Sequence, residues 1–267
     1  MATPQGGRTR EVADGVHLVT GTGVNWVIVA GSDGCTLVDT GYRGDRARLV
    51  SSLADLGFQP GDVAAVLLTH GHLDHIGSAQ WLAERHGVPV LTGAAEVANV
   101  RREVTEQITP AESLLLARTP RGAGWLARSL LATRGSLGLA APAARSAEPS
   151  LDADGALDVP GRPRPLVTPG HTSGHTCWWL PERGVLLTGD ALVTGHDVCP
   201  GRGPQLLPAA FHHDADRAAS VLAELTGLAG LAGLTGADDE VVVVPGHGEA
   251  WTGTTTQAVR TALQRRV

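Results

Sequence analysis

Short apolar runs rich in β-branched residues recur along the chain, separated by stretches in which apolar residues return at every third or fourth position. The short runs predict buried strands at Val16–Thr20, Trp26–Ala30, Thr36–Asp39, Ala64–Thr69, Val88–Thr92, Pro165–Thr168, Cys177–Leu180, Val185–Thr188 and Val241–Val244. The longer periodicity predicts helices at Asp45–Leu56, His75–His86, Ala94–Gln107, Ala111–Leu131, Asp214–Leu225 and Thr254–Arg265. Strands dominate the opening, then alternate with helices, and the alternation resumes after residue 160. This order predicts an α/β fold with two central sheets covered by helices. The interval Arg134–Arg164 is rich in Gly, Pro, Ala and Ser and weakly periodic, so it reads as a loop. With the helices before it, it forms an insertion at about 94–164 in a single domain spanning 1–267.

Composition narrows the chemistry. A formal net charge of −6 gives no broad electrostatic footprint for nucleic acid or an anionic membrane, so neither is expected as a partner. All 21 basic residues are Arg, which leaves no lysine for a Schiff base or a phosphate-binding P-loop. The opening residues lack an apolar signal core, and no run of about 18 apolar residues follows, so a cytoplasmic location is expected. Cys35, Cys177 and Cys199 are widely spaced and odd in number, and they read as free packing thiols.

The dense chemistry lies in Thr69-His70-Gly71-His72-Leu73-Asp74-His75, which follows an apolar strand and packs four candidate ligands into six residues. Imidazole and carboxylate together suit zinc and its first-row neighbours. Side chains alternate along extended backbone, so His70 and His72 can face one way while Asp74 and His75 serve a second ion. PLVTPGHTSGH, GVLLTGD and VVVVPGHG likewise place His171, Asp190 and His247 just beyond an apolar strand and a Gly turn. Function in α/β sheets gathers outside the carboxyl ends of strands, so these segments can converge on the His70 loop. His175, His196, His212 and His213 lack such motif support. Asp214 can cap the following helix, and His196 stands close enough after Asp190 to reach a substrate. Asp39, in Asp-Thr-Gly, reads either as a second layer orienting the ligands or as a turn former.

These motifs resemble the metallo-β-lactamase-like hydrolases, whose HxHxDH signature is intact as His70, His72, Asp74 and His75. The resemblance runs from the opening strands and the LVDTG turn at Leu37–Gly41 through PGHG, and it implies a four-layer αββα sandwich. It further implies one ion on His70, His72 and His171, a second on Asp74, His75 and His247, and Asp190 bridging. Two divalent ions, zinc or alternatively iron or manganese, would then share a hydroxide, with Asp74 and Asp190 as the catalytic carboxylates.

Retention of Asp at 190 departs from the lactamase branches, which typically carry Cys or Ser there. The pattern is nearest the glyoxalase-II-like branch, although its long C-terminal glutathione-binding region has no counterpart here. Acyl-homoserine lactonases commonly carry a Tyr shortly after the bridging Asp, where this chain has Ala191-Leu192-Val193. The resemblance thus implies hydrolysis of a small or carrier-bound thioester, ester or lactone. Mononuclear iron sulfur dioxygenation and β-lactam hydrolysis are the alternatives, and a non-catalytic metal-binding module is a third. Arg101, Arg102, Arg118, Arg121, Arg128 and Arg134 lie beside the apolar stretches of the insertion. They suggest a lid whose apolar face holds an acyl chain while an arginine reads a carboxylate or phosphate; a solvated helix face over a core stripe is the plainer reading.

Overall fold

The computed structural model describes residues 9–225 and 239–265. One sheet runs in chain order through β1 (Thr9–Ala13), β2 (Val16–Thr20), β3 (Asn25–Gly31), β4 (Gly34–Val38), β5 (Val63–Leu67), β6 (Val90–Thr92) and β7 (Arg145–Ser146). Its first four strands pair antiparallel and its last four parallel. The second sheet comprises β8 (Arg164–Val167), β9 (Thr176–Leu180), β10 (Val185–Gly189), β11 (Glu240–Pro245) and β12 (Trp251–Thr254) in the order β12-β11-β10-β9-β8. Only its β10–β11 pair is parallel.

Alternation along the strands sorts the core into layers. In β3, Val27 and Val29 face the other sheet, while Trp26 and Ile28 face helices α1 (Arg46–Asp55) and α2 (Ala79–His86). In β9, Trp178 and Leu180 face the first sheet, while Cys177 and Trp179 meet α6 (Ala215–Leu225) and α7 (Thr255–Gln264). The result is the expected αββα sandwich, with each fully buried Leu or Trp contributing on the order of 1.5–3 kcal/mol.

Several elements differ from the sequence expectation for local reasons. The helix expected from His75 starts only at Ala79, because the amide of Gly77 bonds Gly41 and that of Ser78 bonds the Thr40 hydroxyl. The helix expected over Ala94–Gln107 shrinks to a turn and α3 (Val97–Val100), since Arg102 turns left-handed at φ 61°. Ala111–Leu131 splits into α4 (Pro110–Leu116) and α5 (Pro120–Thr133), the second capped by the Thr119 hydroxyl accepting from the Gly122 amide. The Arg134–Arg164 interval contains β7, which pairs with β6. No described helix is long and apolar enough to cross a membrane.

Candidate metal centre

The segments singled out above extend from the carboxyl ends of β5, β8, β10 and β11, so both sheets contribute to one site. His70, His72 and His171 form one group of possible ligands, and Asp74, His75 and His247 form another. Asp190 joins His70 and His75 in a third, overlapping group. Its Oδ2 lies 3.5 Å from His171 Nε2 and 3.2 Å from His247 Nε2, and its Oδ1 lies 3.6 Å from His75 Nε2. Asp190 therefore stands between the two histidine groups.

Hydrogen bonds behind the rings decide which nitrogen faces inward. His72 Nε2 donates to the Glu106 carbonyl at 2.7 Å, and His247 Nδ1 donates to the Gly23 carbonyl at 2.6 Å. His75 Nδ1 donates to Asp39 Oδ2 at 2.8 Å. The Thr69 hydroxyl donates to the same oxygen at 2.8 Å, so it accepts from His70 Nδ1 at 2.9 Å. Each of these four rings uses one N–H on an outward partner and turns its other nitrogen inward, where a neutral ring offers a lone pair. Asp39 thus orients two rings, one directly and one through Thr69; it does so at φ 60°, a backbone conformation costly for a non-glycine residue.

The inward atoms fit a cation. His171 Nε2 lies 3.2 Å from His70 Nε2 and 3.1 Å from His72 Nδ1. Tetrahedral zinc with nitrogens at roughly 2.0–2.1 Å needs an edge of about 3.3 Å. His75 Nε2 and Asp190 Oδ1 are buried without hydrogen-bond partners, a costly condition that coordination would relieve. Burial pushes His70 and His171 well below the usual imidazole range and takes His72 down to about 4, which keeps that trio neutral. Burial also opposes charge on His75, but Asp39, Asp74 and Asp190 outweigh it and raise the ring to about 10. Burial likewise works against the Asp190 carboxylate, yet His247 and His75 hold it far below the usual carboxylate range. One flank of the site is thus a neutral donor set, and the other draws positive charge.

Two residues hold this arrangement without any motif to announce them. Glu96 is fully buried beside α3, where Oε1 accepts from the Gly71 amide and Asn99 Nδ2, each at 2.7 Å. Its Oε2 accepts from the Thr172 hydroxyl at 2.7 Å and the Gly174 amide at 3.1 Å. One carboxylate therefore clamps the His70–His72 loop to the His171 loop. His175, which has no ligand position, is pinned through Nδ1 by Thr168 and accepts the Asp190 amide at 3.1 Å. The amides of His213 and Asp214 bond the carbonyls of His171 and Gly170, and Asp214 Oδ1 caps the following turn at Arg217.

Close approach leaves no room for a side chain at Gly246, where a Cβ would stand 2.2 Å from Asp190 Oδ1. Gly246→Ala should therefore displace the Asp190 carboxylate and lower bound metal and turnover together. Elemental analysis showing an undiminished metal-to-protein ratio would refute this.

His196 lies beside the centre, its ring 4.8 Å from that of His247, and Nδ1 accepts from the Val198 amide at 3.4 Å. Burial takes its ring down to about 3, and nearby His247 adds to that effect. It also lines a cavity of about 660 Å³ that opens over His72, Asp74, Asp190 and His247. The walls are mainly apolar and include Ile108, Leu114, Trp125, Leu126 and Leu130 of the insertion, with Leu207 and Phe211 packed against Ile108 and Trp125. Arg101 and Arg102 donate to the carbonyls of Ala144 and Leu139, and Arg128 pairs with Asp197 at 2.6 Å, so these arginines brace the insertion.

The chain is similar to proteins known from sequence and from solved structures. The family model described as "Metallo-beta-lactamase superfamily" matches residues 19–247. A probable metallo-hydrolase, YflN of Bacillus subtilis (strain 168), is 28% identical over 280 residues, covering 100% of this chain and 96% of the relative. A second probable metallo-hydrolase of that organism, YqgX, is 26% identical over 172 residues, covering 64% of this chain and 67% of its own. The crystal structure of a metallo-beta-lactamase family protein from Thermus thermophilus superposes with a TM-score of 0.59 at 25% identity, covering 95% of this chain and 80% of that one.

Proposed function

The chain belongs to the metallo-beta-lactamase superfamily, and from that membership we propose that it is a dinuclear hydrolase of a small or carrier-bound thioester, ester or lactone. The observation that carries the reading is the apolar cavity, which has the candidate ligands for its floor and suits an acyl group whose carbonyl must reach Asp74 and Asp190. The second ligand group, Asp74 with His75 and His247, favours two ions over the single iron of a sulfur dioxygenase. Zinc, iron or manganese held there would polarise a carbonyl and make water acidic enough to attack at neutral pH.

The protein's own residues supply the rest. Asp39, Thr69, Glu106 and Gly23 fix the ring orientations before substrate arrives, so little reorganisation accompanies reaction. Asp74 Oδ2 lies 3.5 Å from His247 Nε2, and its side chain is 18% exposed towards the cavity. It is placed to take a proton from water and return it to the leaving group. Apolar walls keep bulk water from the reacting bond, and His196 contacts the substrate beside them.

The test is metal analysis of the purified protein beside a panel of thioesters, esters, lactones, β-lactams and phosphodiesters. Turnover should be confined to the first three and should rise with acyl length until the cavity is filled. Turnover of β-lactams or phosphodiesters alone, or no gain from a longer chain, would sink the proposal.

A further inference from the structure

Tyr42, Thr133 and Leu137 line the cavity, and their chain neighbours Arg43 and Arg134 belong to an arginine cluster that none of the chemistry above uses. Arg43 follows Tyr42, and its guanidinium donates to the Ser136 hydroxyl, so it reaches across to the end of α5. Arg134 follows Thr133 there. The two segments pack closely, for Tyr42 Oη lies 3.0 Å from Ser129 Oγ and a Cβ on Gly44 would meet the Ala132 carbonyl at 2.6 Å. Arg46 lies one helical turn beyond Arg43, its guanidinium 5.0 Å from the Trp81 ring centre.

Nothing described neutralises this cluster. No described carboxylate pairs with Arg43, Arg46 or Arg134. Asp45 is the nearest acid in sequence, but it is buried, accepts from Thr22 and the Tyr42 amide, and pairs with Arg48 at 3.6 Å. The carbonyl end of α5 offers the equivalent of about half a negative charge, against three positive ones. Burial lowers the Arg46 pKa, and the charges of Arg43 and Arg134 lower it further, so both of them repel Arg46. Arg134 also sits at φ 48°, where glycine is the unstrained residue, so its side chain is kept at a conformational cost.

We propose that Arg43, Arg46 and Arg134 form an anion subsite at the cavity mouth, so that the preferred substrate is amphiphilic, with its acyl chain in the cavity and a phosphate on the arginines. The inference rests on the hydrolase reading for the word substrate, but the subsite itself is a binding claim. Planar guanidinium groups favour phosphate through paired, charge-assisted hydrogen bonds. Such a phosphate could belong to a soluble phosphorylated thiol or alcohol carrying the acyl group, or to a phospholipid headgroup.

The metal-loaded protein would be titrated calorimetrically with decyl phosphate and with 1-decanol, both below aggregation. Decyl phosphate should bind roughly tenfold or more tightly than decanol, an advantage of the size of one charge-assisted hydrogen bond. The Arg43→Gln/Arg134→Gln double variant should lose that preference while holding decanol as before, and the Arg43→Lys/Arg134→Lys variant should recover part of it. Equal affinities in the parent protein, or a preference that survives in the Gln variant because the phosphate sits on the metals, would overturn the subsite. Turnover separates the sources: a decanoyl thioester of phosphopantetheine tests the soluble carrier, and didecanoyl phosphatidylglycerol vesicles test the headgroup. If neither is cleaved while the binding preference stands, the hydrolase reading fails and the subsite does not.

Discussion

Asp190→Asn should strip the protein of metal and activity together, whereas His175→Ala should leave metal content intact. The change at 190 preserves size but removes the one negative charge that lies within 3.6 Å of inward nitrogens on His75, His171 and His247. No other described carboxylate faces both histidine groups so closely, so metal retention should fall by orders of magnitude, and turnover by roughly 10³-fold or more, the scale of a lost electrostatic contact in a dry site. His175 hydrogen-bonds the Asp190 amide and Thr168 and packs 5.2 Å from the His70 ring, but it belongs to none of the ligand groups. Its loss leaves a buried donor unpaired, a cost of about 1–3 kcal/mol that should appear as a lower Tm. Metal-to-protein ratio, turnover and thermal unfolding would be read on all three proteins. If Asp190→Asn kept both ions and near-normal rates while His175→Ala lost one, Asp190 would not bridge.

Glu96→Gln should do nearly comparable damage from a position that touches no ligand ring. The carboxylate accepts four hydrogen bonds, three from the two ligand loops and one from Asn99 in α3, and an amide can accept at only one end. Its NH₂ would face either the Gly71 and Asn99 donors or the Gly174 amide beside Thr172, whose hydroxyl alone can turn to accept. Stability should fall by about 2–4 kcal/mol, given the penalty for buried unsatisfied groups. The spacing of His70, His72 and His171 should loosen with it, and loss of such supporting contacts typically weakens metal affinity roughly 10–100-fold. Competition with a chelator would measure this, with Asn99→Ala as a milder companion because it removes one donor to Glu96. An unchanged metal affinity in folded Glu96→Gln would show that the clamp stabilises the fold alone.

How much of this was legible depends on how narrowly the physics restricts residue type. Metal coordination admits few side chains, and placing them beyond strand ends requires an apolar run and a tight turn, so the His70 loop, His171, Asp190 and His247 stand out in the bare chain. Asp39 was half legible, since Asp-Thr-Gly serves equally as a turn. Glu96 was not legible, because a glutamate among helix-forming residues looks like a solvated face until Gly71 and Thr172 are brought beside it. His175 was hidden likewise, its task being visible only once Thr168 and Asp190 flank it. Among the elements, the α4–α5 break carried a readable signal in Thr109-Pro110-Ala111-Glu112 and Thr119-Pro120, two helix starts overridden by continuous apolar periodicity. The two-residue β7 carried none, because its pairing with β6 is set by tertiary contact rather than by pattern.

The candidate ligands hang on the ends of four strands from both sheets, whereas much of the cavity wall belongs to one uninterrupted stretch between Thr105 and Leu137. That division separates what must be inherited unchanged from what is free to drift. Substitutions or length changes in the wall beyond Glu106, whose carbonyl holds the His72 ring, can retune which molecules are accepted while the candidate ligands stay in place, since none of them lies in that part of the chain. A lineage built on this plan can diversify its diet by editing a single segment, and laboratory recombination can do the same by exchanging that segment between relatives.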